Sequence, residues 1–366
     1  MTSARRLLGP MVIAGGALHL LVGCALWWHF RKYGGVLPDS DEFANLAKAG
    51  QLVAAWRGGD WIPWDRISTG ETNPGYYFVL ALIRFVAPDQ LLLLRLCNVL
   101  ACVVAIWLWW RTLLRNRETH EVASLFLVAA LWIPSPMLWS ALILKEAFVY
   151  ALVAANGLVF ARILRSPGPD AGQAAWFALS LLALSYFRNY TALMLLALSL
   201  PFMAYAKGWR TAIILGLGAA AAMLLLNPYL LGLVGQDVVA ANAATSAGGS
   251  ALPAGTSLWS KFWLFLSFPM PWQATSAFQK LAAPEVLLFL LSLPAIAAGI
   301  YLKLKTRDPL GCYVAAVAIA TAAVCIVFVN NLGTFYRVKS SLMFAFAYFA
   351  AVGIQPVLAR LRPSAA

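Results

Sequence analysis

The chain has 366 residues, of which 62% are hydrophobic and only 11% charged, and its formal net charge is +13. Apolar runs of about twenty residues recur along it, the length a helix needs to cross a bilayer, so an ordinary soluble domain is excluded. A nucleic-acid binder is excluded as well, because the cations fall in short clusters between apolar runs instead of on one face.

In lipid only helices or closed barrels satisfy the backbone, and no long β-alternating pattern is present, so the fold class is an all-α polytopic membrane protein. Hydropathy marks stretches at 10–30, 74–87, 90–110, 121–139, 146–163, 172–187, 190–206, 211–234, 285–304, 310–329 and 340–359. The first follows a short basic start and no small-residue cleavage site succeeds it, which predicts an uncleaved span. The basic clusters at Arg5 and Arg6, Arg111 to Arg117, Arg162 and Arg165, Lys207 and Arg210, Lys303 to Arg307, and Arg360 and Arg362 predict cytoplasmic loops. Both termini are then cytoplasmic and the crossings even in number, so about ten transmembrane helices are expected. The stretch expected not to cross is 74–87, the rival being that it crosses and one short basic loop lies outside. It is short, opens with Asn73-Pro74-Gly75, carries Arg84 and ends at Pro88, as a re-entrant or surface helix would.

This threading places loop 31–73 outside. Within it Asp41 to Trp56 reads as an amphipathic surface helix anchored by Phe43, Leu46, Ala47, Leu52, Val53 and Trp56, with Ser40 able to cap its start. Further on, 237–257 is rich in Ala, Gly and Ser and reads as a mobile loop over the same face, and Phe262 to Trp272 as an interfacial element. An N-terminal module at 1–165 and a C-terminal bundle at 166–366 with an outer loop at 235–284 are expected, with no soluble domain. Cys24, Cys97, Cys102, Cys312 and Cys325 all sit inside apolar runs as small hydrophobes, and His19 reads as a packing residue, so no metal site is expected.

Asp39, Asp41 and Glu42 concentrate negative charge at the mouth of the membrane. Low dielectric and like charge raise a carboxylate pKa toward that of a useful general base. Equally, Asp41 and Glu42 in the first turn of a surface helix would simply complement its dipole. A second acid, Glu146, stands beside Lys145 in a corner between two spans. Arg188 with Tyr190, and Arg337 with Lys339, abut apolar runs on the outer face; converging, these cations could hold a phosphate by charge-assisted hydrogen bonds. Arg84 and Arg95 lie within apolar stretches, where an arginine is either functional or snorkelling to the surface. A phosphate-cradling loop, a dinucleotide fingerprint, a His-x-x-x-His pair and a nucleophile elbow are all missing, which disfavours soluble nucleotide-dependent chemistry.

The order of first span, Asp41-Glu42-Phe43-Ala44-Asn45-Leu46-Ala47, Gly59-Asp60-Trp61, Asn73-Pro74-Gly75-Tyr76-Tyr77-Phe78-Val79-Leu80-Ala81-Leu82 and Leu94-Arg95-Leu96 resembles the N-terminal module of GT-C glycosyltransferases. That superfamily includes the protein O-mannosyltransferases and the lipid A aminoarabinose transferase. The likeness covers about residues 10–165, and Ser140 through Lys145-Glu146 resembles the second acidic corner of those enzymes. Pro269-Met270-Pro271-Trp272 and Gly333-Thr334-Phe335-Tyr336-Arg337 look like multispan proteins of bacterial surface-polysaccharide systems. The chain departs from the pattern in lacking a paired proline before the second apolar segment and a large C-terminal soluble domain.

The resemblance implies a GT-C-like fold in the inner (plasma) membrane and transfer of a sugar, with inversion, from a polyprenyl-phosphate carrier to a glycan, lipid or protein acceptor on the extracytoplasmic face. Under it Asp41 is the base, with Asp39 or Glu42 as substitute; Glu146 orients the acceptor or its basic neighbours; Arg188, Arg337 and Lys339 neutralise the departing phosphate. Lys145, Tyr190 and Arg95 complete the expected substrate contacts. No cofactor or metal is expected beyond the lipid-linked donor. A polymerase or ligase of lipid-linked glycans would need no carboxylate at Asp41, and a flippase would need a polar path across the membrane; the concentration of polar residues on one face favours an enzyme over the flippase.

Overall fold

The computed structural model describes residues 2–31, 41–61, 74–88, 90–227, 252–253, 255–274 and 277–361. Among them are fourteen α-helices and no strand: α1 Thr2–Phe30, α2 Asp41–Arg57, α3 Pro74–Val86, α4 Leu91–Arg115, α5 His120–Trp132, α6 Pro134–Ala141, α7 Glu146–Arg165, α8 Ala171–Phe187, α9 Asn189–Lys207, α10 Trp209–Leu226, α11 Leu258–Ser267, α12 Ala277–Lys305, α13 Pro309–Phe328 and α14 Leu332–Leu361. Asp39, Ser40, Asn73 and most of 237–257 lie outside the described residues.

Eight of these helices are long and apolar enough to cross a membrane, as a polytopic membrane protein requires: α1, α4, α7, α9, α10, α12, α13 and α14. A ninth span results if α5 and α6, bent by 52° at Ile133, act together. The bend has a local cause, since Pro134 drives the residue before it out of the helical region and Ile133 is extended at ψ 120°. The expected count of about ten would also require α8, whose 17 residues fall short of the usual spanning length. Helix α3, at 13 residues, is too short to span alone, as its sequence suggested.

Short polar side chains start several of the helices. Thr119 accepts from Val122 N, Asp170 from Gln173 N, Ser257 from Ser260 N and Asp308 from Leu310 N, each satisfying one of the backbone donors that a helix end leaves unpaired.

The chain forms two compact units, residues 1–112 with 137–234 and residues 113–136 with 235–366. In the first, α2 packs on α3, α3 on α8, α7 on α8 and α9, and α8, α9 and α10 on one another. Helices α8 to α10, expected with the C-terminal bundle, thus belong to this unit. In the second, α12 packs along α14, which also meets α5 and α13, while the short α11 lies against α12, α13 and α14.

The α12–α14 contact depends on small residues. A Cβ on Gly299 would lie 2.0 Å from Phe349 O, and one on Gly353 would lie 2.0 Å from Ala295 O, so the two backbones touch at glycines as close membrane-helix pairs do. Gly299→Ala and Gly353→Ala are each expected to destabilise by about 1–3 kcal/mol through overpacking. Gly218→Ala in α10, where a Cβ would meet nothing within 4 Å, should leave thermal unfolding of the detergent-solubilised protein unchanged or slightly raised.

Candidate functional site

Helix α2 buries one stripe, Glu42, Leu46, Ala49 and Val53, together with Leu52 and Ala55. Phe43 and Ala47, expected among its anchors, face outward instead. Glu42 therefore opens the buried stripe, while its neighbour Asp41, turned by about 100° around the helix, is exposed.

Glu42 and Arg95 form a two-pronged ion pair, Nη1 to Oε1 at 2.9 Å and Nη2 to Oε2 at 3.2 Å, with both side chains essentially excluded from solvent. A buried pair offsets its desolvation only when its remaining bonding capacity is used. Here the polar groups lie at the break between α6 and α7. Ile143 N donates to Glu42 Oε1 at 2.6 Å, Arg95 Nη1 donates to Ala141 O at 2.8 Å, and Asn45 Nδ2 donates to Ile143 O at 3.1 Å. Asn98 Nδ2 lies 2.5 Å from Leu142 O and 2.9 Å from Leu144 O. The last carbonyl of α6 at Ala141 and the non-helical backbone from Leu142 to Leu144, all buried, thereby bond to side chains of α2 and α4, the condition under which irregular backbone survives in an apolar setting. Arg95 also lies over the Phe30 ring at 5.6 Å, which brings the end of α1 to the same place.

A second pair sits beside the first. Arg188 Nη2 donates to Glu146 Oε1 at 2.9 Å, with both side chains buried. Tyr76 links the two sets: its hydroxyl donates to Asn98 Oδ1 at 3.4 Å, and it feels the charges of Glu146, Glu42 and Arg95. Burial pushes the Tyr76 phenol well above its ordinary value, so it stays protonated. Gly75 permits this approach of α3, because a Cβ there would fall 2.8 Å from Tyr186 Cβ and 3.0 Å from the Phe187 ring. Phe187 stacks on Phe148, which meets Tyr76 at 5.9 Å.

The cluster thus gathers the N-terminal ends of α2, α3, α7 and α9. Each helix start carries about half a positive charge, which favours Glu42 and Glu146 in the first turns of α2 and α7 and favours an anionic group brought to the site. Asp41 at the exposed start of α2 and half-buried Lys145 at the start of α7 supply the charges at its surface.

Of the residues expected from sequence, Asp41, Glu42, Arg95, Lys145, Glu146, Arg188 and Tyr190 all fall in the first unit. Asp39 lies outside the described residues. Arg337 and Lys339 belong to the second unit. There Lys339 is 1% exposed and donates to Leu266 O and Phe268 O, closing the C-terminal end of α11. Arg84, the other intramembrane candidate, donates from Nη1 to Leu46 O at 2.7 Å and fastens α3 to α2.

Sequence reasoning missed Tyr76, Asn98 and Asn45, which have no charge to draw attention. Asn98 follows Arg95 by three residues in an apolar helix, and that i, i+3 spacing was the available signal. It also missed Glu285 in α12, which accepts from Ser135 N and Ser135 Oγ, each at 2.6 Å, within the second unit. No group of three or more His, Cys, Asp or Glu side chains able to hold a metal occurs among the described residues. Compared with known proteins, the chain matches no family model and no curated sequence.

Removing one partner of the buried pair should strand the other. Arg95→Met is expected to cost about 3–5 kcal/mol in unfolding of the purified protein, and Arg95→Met combined with Glu42→Leu should cost less than the sum of the two single changes. Additive single effects would mean that the pair carries no coupling.

Proposed function

We propose that the chain is an integral membrane glycosyltransferase of GT-C type that transfers a sugar from a polyprenyl-phosphate carrier to an acceptor on the extracytoplasmic face of the inner membrane. The observation that carries this reading is the contrast in burial within the Asp41-Glu42 pair. Glu42 is committed to Arg95 and Ile143 N, whereas Asp41 is exposed on the helix turn that those bonds hold still. A carboxylate presented on a fixed backbone at the outer mouth of the membrane is suited to take the proton of an acceptor hydroxyl.

In the proposed reaction Asp41 accepts that proton as the acceptor oxygen forms its bond to the anomeric carbon, with inversion. The bond from that carbon to the carrier phosphate breaks, and the lipid phosphate leaves with its electron pair. Lys145 and the four helix starts supply positive potential where the phosphate charge grows. Arg188, held by Glu146, serves as a shaped hydrogen-bonding wall; its charge is already balanced. The ten-crossing topology belongs to the same proposal, with α5 and α6 acting as one broken span and α8 as a short one.

The test is product formation in membranes carrying wild type or Asp41→Asn at matched expression, with carrier-linked sugar supplied. A loss of about 10²–10⁴ in rate with unchanged folding is expected of a general base. Unchanged turnover would remove Asp41 from the chemistry and favour a polymerase or a transporter.

A further inference from the structure

The corner between α8 and α9 holds a polar side chain that the chemistry above leaves unused. Asn189, the first helical residue of α9, is 3% exposed, yet neither its Oδ1 nor its Nδ2 has a hydrogen-bond partner among the described residues. Most buried polar groups are paired, so a buried amide unpaired at both ends calls for a specific explanation. Arg188 at the N-cap makes no side-chain capping bond to this helix start. The next residue, Tyr190, is 53% exposed with its ring 5.7 Å from the Arg188 guanidinium carbon, so this corner reaches the protein surface.

The chemistry of the amide selects among ligands. Its Nδ2 offers two donors and its Oδ1 an acceptor. A phosphate oxygen could take the donors but would leave Oδ1 facing negative charge. A hydroxyl both donates and accepts, and neighbouring hydroxyls of a sugar ring present that combination in the required spacing. The adjacent Glu146–Arg188 pair is balanced in charge, which again suits a neutral, hydroxyl-rich group.

We propose that Asn189 is a sugar-recognition residue, its amide pairing with ring hydroxyls of the lipid-linked donor beside the Glu146–Arg188 pair. This rests on the transferase reading and sharpens it: the phosphate meets the positive helix starts near Lys145, while the sugar is read at the α8–α9 corner.

The experiment compares binding of two probes, a synthetic polyprenyl phosphate and its hexosyl ester, to purified wild type, Asn189→Leu and Asn189→Asp, with unfolding without lipid as a check on the fold. Asn189→Leu keeps the branched heavy-atom shape and removes the amide's hydrogen-bonding groups, so a purely structural leftover would give unaltered binding. The proposal expects the hexosyl probe to bind wild type more tightly than polyprenyl phosphate. It expects both variants to lose about tenfold for the hexosyl probe, the scale of one or two hydrogen bonds, with polyprenyl phosphate affinity of Asn189→Leu kept within about twofold. Equal binding of the hexosyl probe by wild type and Asn189→Leu overturns the assignment and leaves the transferase reading standing. If neither probe binds wild type, the transferase reading falls and the assignment with it. Should Asn189→Leu fail to fold, Asn189→Ala is read against the same two outcomes.

Discussion

A single carboxylate organises the first unit. Glu42 takes both prongs of the Arg95 guanidinium and the backbone N–H of Ile143, joining the start of α2, the body of α4 and the break between α6 and α7. Those three elements are far apart in the chain, and a broken helix in an apolar surrounding would otherwise expose carbonyls and amides with nothing to bond. Asn98 and Asn45 complete the same task. The polar core is therefore first of all what allows the chain to turn sharply inside a greasy protein. That turn brings Ile143 to Glu42, with Lys145 and Glu146 following at the start of α7.

Structure and function are linked here by rigidity. Because Glu42 is engaged, the first turn of α2 is fixed, and Asp41 gains a defined direction without being buried. The two acids of the pair differ in setting, Glu42 buried in its ion pair and Asp41 exposed, and the proposed chemistry is given to the exposed one. Glu146 and Arg188 repeat the pattern at the starts of α7 and α9. Four helix starts meeting around paired charges give a site whose formal charges balance while its backbone dipoles lean positive, the setting on which the proposed transfer relies.

Much of this was legible in the sequence, and the limits were physical. Long apolar runs announced the spans because hydropathy needs no tertiary information, and the prolines flanking 74–87 announced a short helix. The 42, 46, 49, 53 stripe was also present, and a stricter helical count would have put Glu42 inside and Phe43 outside. What could not be read were partners supplied by backbone: nothing in the identities of Ala141 to Leu144 says that their carbonyls and amides would claim Arg95, Asn98 and Glu42. Lys339 likewise has backbone partners that its sequence position does not announce, the carbonyls of Leu266 and Phe268 at the end of α11. Assignment to units was equally hidden, because α8 to α10 follow the expected boundary at 165 and yet pack with α3 and α7.

The measurement that bears most directly on this account is an experimental structure with a hexosyl polyprenyl phosphate bound in a lipid nanodisc. The account predicts head-group density in the first unit, with the anomeric carbon beside Asp41, the phosphate toward Lys145 and the sugar hydroxyls at Asn189. A head group bound away from these residues, with Asp41 facing bulk solvent, would contradict it.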